Sequence, residues 1–407
     1  MVDLVQRSID VILQNQAGSG AYVACPNLPA YRYSWFRDGA YIAYAMDLAG
    51  EKASAARFHA WSAAVINARQ AAVERAIARA SKNEPLQDAD MLHTRYTPEG
   101  REGSLEEWPN HQLDGLGTWL WALRQHAARD GAGLPGDWQK AAHLAAAYLA
   151  ALWRYPCYDC WEEFGDRVHP HTLAAIYGGL QAYKDLTADP GPARQGVGFA
   201  EDAEGFKNEP VNIKHFSEVK VNAFRGDAEL SFNKKISATS AFSAVNKVLE
   251  EIRAYIEAHY VFDGHFVKFE GQPAVDASLL ALAMPYNLVD AGDVRMQQTV
   301  ARIEGELILN GGGPHRYAGD TYYGGGEWVL LAAWLGWYYL QVGEGQKARA
   351  LLRWVESQAD ARGFLPEQVP VNLNAPEALD AWRRQRGEIA TPLLWSHAKY
   401  LILALSL

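Results

Sequence analysis

The sequence predicts an all-α protein built in two concentric layers, and three observations carry that expectation. Apolar residues recur at a helical period along most of the chain, beginning with Leu4, Ile9 and Leu13. Several stretches, such as 328–340 with Trp334 and Trp337, are apolar on almost every side, and a helix of that kind is buried on almost every side. No Gly-rich turn leads from a strand into a helix. Gly324-Gly325-Gly326 opens a helix but follows two tyrosines and lacks the Lys-Ser/Thr pair of a phosphate-binding loop.

Taken in order, the first helix surrounds Leu4 to Leu13. A second runs over 37–49 and stops at Gly50, a residue suited to a left-handed C-terminal cap. A third, rich in Ala, covers 51–79. Residues 81–110 hold Pro85, Pro98, Gly100, Gly103 and Pro109 and read as a long loop. Helical patterns then follow at 111–128, 137–154, 170–186, 237–259, 276–285, 293–308, 327–342, 345–360 and 391–405. Two segments break the pattern. Residues 187–235 are rich in Gly, Pro and charge, carry a strand-like patch at 218–221, and read as an insertion with a small sheet. Residues 372–387 are polar and contain Pro376.

Composition narrows the function. A formal charge of -10 argues against nucleic acid or an anionic membrane as the partner, and leaves a neutral ligand untouched. No run approaches the roughly 18 apolar residues of a membrane span. The first ten residues have neither a basic segment nor a long apolar core, so a cytoplasmic location is expected. The cysteines, Cys25, Cys157 and Cys160, form no disulfide framework. The lone Cys157-x-x-Cys160 lacks the second pair or the spaced histidines of a zinc site. Fourteen Trp and 20 Tyr are first of all core material, although their flat faces also suit the C–H face of a sugar ring.

Six polar-aromatic clusters fall between the helical stretches, where functional residues concentrate. They are Tyr31-Arg32-Tyr33-Ser34-Trp35-Phe36-Arg37-Asp38, Trp108 to Gly115, Trp161-Glu162-Glu163, Arg316 to Trp328 with Tyr322, Pro366-Glu367-Gln368, and Pro392 to His397. Each alone is as well explained by a helix cap, a staple or a solvated pair. An acid needed near neutral pH wants an apolar neighbour, which Trp161 can supply to Glu162. Arg and Asp suit vicinal hydroxyls.

Jointly and in this order, the clusters from about Tyr31 onward resemble the catalytic domain of glycoside hydrolase family 15, the glucoamylase and glucodextranase family. The resemblance implies an (α/α)6 barrel, with 1–407 as a single catalytic domain carrying the 187–235 insertion. It implies an inverting exo-α-glucosidase acting on short isomalto- or malto-oligosaccharides, with no cofactor and no metal. Glu162 is then the general acid and Glu367 the general base, with Glu388 as a rival base, and the two carboxyls are expected roughly 6.5–9.5 Å apart. Arg37 and Asp38 would hold the 4- and 6-hydroxyls of the terminal glucose. Glu163 and Arg316 would bind the sugar, and Tyr33, Trp35, Trp108, Trp161, Tyr322 and Trp328 would surround it. His169, His171 and His397 read as structural or pocket-lining. A trehalase of the same fold, a non-catalytic glucan-binding protein and a histidine-dependent sugar epimerase are the alternatives. The sequence sets neither the linkage preference nor the oligomeric state.

Overall fold

The computed structural model describes residues 3–103, 108–131, 133–188 and 238–407. Six inner helices form a closed ring: α2 (Phe36–Leu48), α5 (Asp114–Asp130), α7 (Pro170–Thr187), the 3-10 helix Ala277–Leu282, α10 (Val329–Gln341) and α13 (Leu394–Ser406), which returns to α2. An outer ring backs them. Helix α3 (Lys52–Asn67) lies on α2, α6 (Gly136–Leu152) on α5 and α7, and α8 (Ala238–His259) on α7. Helix α9 (Val294–Leu307) covers the 3-10 helix, α11 (Gly345–Ser357) covers α10 and α13, and α1 (Leu4–Gln14) lies on α13. The protein is an (α/α)6 barrel.

The two layers follow from the patterning. In α2 every residue from Phe36 to Asp47 is buried, and in α10 every residue from Val329 to Tyr339. In α9 only Met296, Thr299, Val300, Ile303 and Leu307 are, a single stripe at helical spacing. Inner helices α5 and α7 touch at Gly117 and Gly179. A Cβ on Gly117 would stand 2.2 Å from the Ala175 carbonyl oxygen, so no larger residue fits without separating the helices.

Three expectations need correction. The helix expected over 51–79 is two, α3 and α4 (Gln70–Ala80), because Arg69 turns out of the helix. Its guanidinium bonds to the Val65 and Gly100 carbonyls, at 3.0 and 2.9 Å, and pairs with Glu102. The helix expected over 276–285 is the short 3-10 turn named above, capped by Asp276, which accepts from Ser278 N at 2.7 Å. Residues 372–387, read as irregular, contain α12 (Pro376–Arg386). It has Pro at its start, Glu377 in its first turn and three arginines in its last, the arrangement that a helix dipole favours. Apart from its first two residues, the expected insertion 187–235, including the patch at 218–221, lies outside the described residues. No helix among those described is long and apolar enough to cross a membrane.

Three two-residue antiparallel pairings were not foreseen: β1 (Ser34–Trp35) with β2 (Arg95–Tyr96), β3 (Val261–Phe262) with β4 (His265–Phe266), and β5 (Glu327–Trp328) with β6 (Gln368–Val369). Strands β1 and β5 run directly into inner helices α2 and α10. They brace the N-terminal end of the barrel, where the polar-aromatic clusters converge.

Candidate active site

The Glu162 loop is closed by its own residues. Asp159 Oδ1 accepts from the backbone N–H of Trp161 at 2.9 Å and of Glu163 at 3.0 Å. Glu162 N donates to the Asp159 carbonyl at 2.9 Å. His169 Nε2 stands 3.0 Å from the carbonyls of both Cys157 and Phe164, so that nitrogen carries the proton. The turn forces Glu162 to φ 69°, a left-handed conformation uncommon outside Gly and Asn that persists only where the surroundings enforce it. Its Oε1 accepts from Trp35 Nε1 at 2.6 Å and from Gln112 Nε2 at 3.2 Å. Oε2 has no hydrogen bond to any described residue.

Arg37 extends that chain of bonds. Its Nη1 donates to Gln112 Oε1 at 2.8 Å and to Asp114 Oδ2 at 3.2 Å, and its guanidinium lies 5.1 Å from the Trp395 ring centre. Asp38, 3.9 Å from Arg37, sits in the first turn of α2. Burial pushes its carboxyl up to about 7, against the pull of Arg37 and with the help of the Glu162 and Asp114 charges.

Glu163 points to a different group of partners. Arg316 Nη2 donates to it at 3.2 Å and Tyr317 OH at 2.6 Å, and burial raises its carboxyl above the usual range. Arg316 forks onto Asp320, at 2.8 and 2.5 Å, and stands 5.0 Å from both the Tyr322 and Trp328 ring centres and 5.4 Å from that of Trp161. Trp161 Nε1 donates to Asp276 at 3.0 Å. Burial acts to raise Asp276, but the bonded Lys268 ammonium overrides it and holds the carboxyl below its ordinary range. Lys268 also reaches Asp159 at 3.3 Å, tying the Glu162 loop to the 3-10 helix.

Glu367 is 8% exposed and sits on a loop held from far away in sequence. His397 Nε2 accepts from Leu365 N at 3.0 Å, and Ser396 Oγ donates to the Pro366 carbonyl at 2.8 Å. Glu367 N donates to the Ala390 carbonyl, and Gln368 Nε2 to that of Tyr322. Glu367 Oε2 accepts from Tyr323 OH at 2.8 Å, and Oε1 has no hydrogen bond to a described residue. Tyr323 itself holds φ 53°. Burial drives the Glu367 carboxyl up to about 8. The Tyr323 bond and Arg316 oppose this, while the Asp38 and Glu162 charges add to it.

Of the residues singled out in sequence, Tyr33, Trp35 and Trp108 gather around the Arg95 guanidinium, 4.3, 5.4 and 3.6 Å from its carbon. Trp161, Tyr322 and Trp328 gather around Arg316. Glu388 stands apart: its side chain is 78% exposed and pairs with Arg383. His169 and His397 brace the two loops. His171, buried between Tyr286 and Trp334, lies 3.8 Å from Asp114. Cys25, Cys157 and Cys160 are buried thiols, with Cys157 pushed up to about 12 by burial. No role for Lys268, Asp276 or Asp159 is legible in the sequence, and Gln112, Tyr317 and Tyr323 lie inside the polar-aromatic clusters without a role assigned to them. Nothing in the sequence near Lys268 signals its role.

Two separately anchored carboxylates among indoles and arginines at the mouth of a helical double ring suit the chemistry of a glycoside hydrolase. The family model described as glycosyl hydrolases family 15 matches residues 2–405, and the chain belongs to that family. The isomaltose glucohydrolase of Kribbella flavida is 38% identical over 99% of this chain and 92% of its own length. A solved glycosidase superposes with a TM-score of 0.82 at 37% identity, covering 99% of this chain and 95% of that one. An equally similar variant with a glutamate replaced by alanine is described as in complex with glucose. The glucoamylase of Saccharomycopsis fibuligera shares the fold, with a TM-score of 0.64 at 14% identity over 99% of this chain and 94% of its own.

Proposed function

We propose that this chain, as one catalytic unit over 1–407, is an inverting exo-α-glucosidase that removes single glucose units from short α-glucosides and releases them as β-glucose. The observation that carries the reading is the Glu162–Glu367 pair. Each carboxyl is fixed through one oxygen only, by Trp35 and Gln112 or by Tyr323, and the Glu162 charge acts directly on Glu367. That leaves one oxygen on each for proton transfer.

In this mechanism Glu162 Oε2 gives its proton to the glycosidic oxygen as the C1–O bond breaks. Glu367 Oε1 takes a proton from water as the water oxygen bonds C1 from the opposite face. Turnover therefore leaves Glu162 ionised and Glu367 protonated. The raised Glu367 carboxyl matches that product state, so the proton must return to Glu162 before the next cycle. Arg37 and Asp38 hold the 4- and 6-hydroxyls, Arg316 and Glu163 bind the ring, and Trp108, Trp161 and Trp328 wall the pocket. Tyr33, Trp35 and Tyr322 complete the lining. Each binding contact that strengthens at the transition state adds to kcat.

The isomaltose-acting relative supports α-1,6 disaccharides and trisaccharides as preferred substrates, slightly ahead of α-1,4. Glucose release from isomaltose, maltose, trehalose and longer glucans tests the proposal. Isomaltose is expected to be fastest, with kcat/KM level as chains lengthen. Fastest release from trehalose establishes the trehalase alternative, and no release from any sugar establishes a non-catalytic glucan binder.

A further inference from the structure

At the other end of the barrel, Asp47, His59 and His126 meet in the interior. Asp47 is at the end of α2, His59 in the middle of outer helix α3, and His126 in the last turns of α5. All three are buried, and one ligand atom from each lies within 4.8 Å of the others. From Asp38 to Asp47 along α2 is about 13 Å, so this cluster is separate from the carboxylates of the mouth.

Asp47 and His126 are bonded to each other: His126 Nδ1 lies 2.9 and 3.0 Å from the two carboxylate oxygens. His59 is different. It is 0% exposed, yet neither ring nitrogen has a hydrogen-bond partner. A buried imidazole with two unmet polar atoms is costly unless something else satisfies one of them. Its ring stands 5.0 Å from that of His126, centre to centre.

We propose that Asp47, His59 and His126 form a binding site for a borderline divalent transition-metal ion of the zinc type, remote from the catalytic pocket and pinning α2, α3 and α5 together. Two imidazoles and a carboxylate are a donor set that zinc accepts. The ion would displace the proton that His126 shares with Asp47. Tetrahedral geometry wants donors about 3.4 Å apart for metal–nitrogen bonds of about 2.1 Å. The Asp47–His126 atoms, 2.9 and 3.0 Å apart, would open by about 0.4 Å to reach this, and the His59 ring can swing inward without breaking a hydrogen bond. The inner helices α2 and α5 both end here, and the negative ends of their dipoles favour a cation. A cavity of about 270 Å³, lined by His126 with Lys52, Ala53, Asp130, Leu134 and Trp138, reaches the cluster at its His126 edge.

The test uses untagged full-length protein stripped with chelator, titrated with Zn2+ and with Co2+. One ion per chain is expected, with a rise in Tm and the visible absorption of four-coordinate Co2+. His59→Leu and His126→Gln should each weaken binding by at least the ~10–100-fold that even outer-shell changes cost. Glu367→Gln, which alters only the carboxylate mouth, should bind the ion as the parent does. The reverse pattern, with binding lost in Glu367→Gln and kept in His59→Leu, overturns the proposal, as does the absence of stoichiometric binding to the parent protein. Should the histidine variants fail to fold, anomalous scattering from Zn2+-loaded crystals decides: a peak at the three side chains supports the site, and its absence there rejects it.

Discussion

The loop that carries Glu162 is closed by bonds from within itself, through Asp159 and the backbone of residues 157–169. The loop that carries Glu367 is held by Leu365–His397 and Pro366–Ser396 bonds that span 32 and 30 residues. The first is a local turn whose side chain is then aimed by Trp35 and Gln112. The second exists only when α13 has docked. The proposed mechanism needs a proton donor and a water-activating base on opposite faces of the sugar, and one locally and one globally determined loop would supply them.

The largest expected effect breaks both halves. Glu162→Gln and Glu367→Gln should each lose about 10²–10⁴-fold in kcat or more, with folding intact, since each removes one proton transfer. Glu388→Gln should retain activity; the assignment of the base fails if Glu388→Gln is inactive while Glu367→Gln still turns over.

The next effect separates the loops. His397→Ala removes the acceptor that fixes Leu365 N and empties buried volume, so it should cost stability on the order of 2–4 kcal/mol as well as activity. Asp159→Ala opens the local turn and removes one of the two carboxylates on Lys268, which keeps Asp276, so it should lower kcat while moving the thermal midpoint less. Differential scanning calorimetry beside steady-state kinetics checks both; equal Tm losses would erase the contrast between the loops.

The pH profile sharpens the comparison further. In the proposed mechanism the active form carries one proton over the two carboxyls, so losing that proton ends turnover. With Glu367 raised to about 8, kcat/KM should fall on the alkaline side near pH 8. Tyr323→Phe removes a bond that lowers Glu367, so the alkaline limb should move upward while kcat drops about tenfold, the loss expected from roughly 1.5 kcal/mol of hydrogen bonding to a charged group. A limb that stays in place would show that Tyr323 does not act through Glu367.

The smallest effect is on stability. Glu367 is raised from 4.5 to about 8 on folding, so the folded state binds more protons between those values. Its contribution is therefore fully present below pH 4.5 and is lost as pH rises through 8. Relative to the parent, Glu367→Gln should gain on the order of 1–3 kcal/mol by pH 8 and nothing near pH 4, as read by urea unfolding at the two pH values.

The same contrast explains what was legible in the sequence. The double ring was readable because α10 is apolar on almost every side while α9 carries one stripe. The motif residues Trp161, Glu162 and Glu163 could be picked out because their loop is contiguous. The bond from His397 to Leu365 could not, since its partners meet only after the ring closes. Lys268 and Asp276 escaped notice for the same reason: an ordinary lysine and a helix-capping aspartate become a buried pair under Trp161 only in three dimensions. Helix α12 was missed because its apolar face is small, Leu379 with Trp382 against Tyr322 and Tyr323, in a segment otherwise mostly charged. The helix expected over 276–285 tightened into a 3-10 turn where Asp276 is drawn to Trp161 and Lys268.

In the proposed mechanism Glu367 activates water rather than attacking the sugar itself, and proton NMR of the first glucose released from isomaltose reads out which occurs. The β anomer is expected first, mutarotating toward equilibrium afterwards; initial accumulation of the α anomer would mean retention and a nucleophilic Glu367.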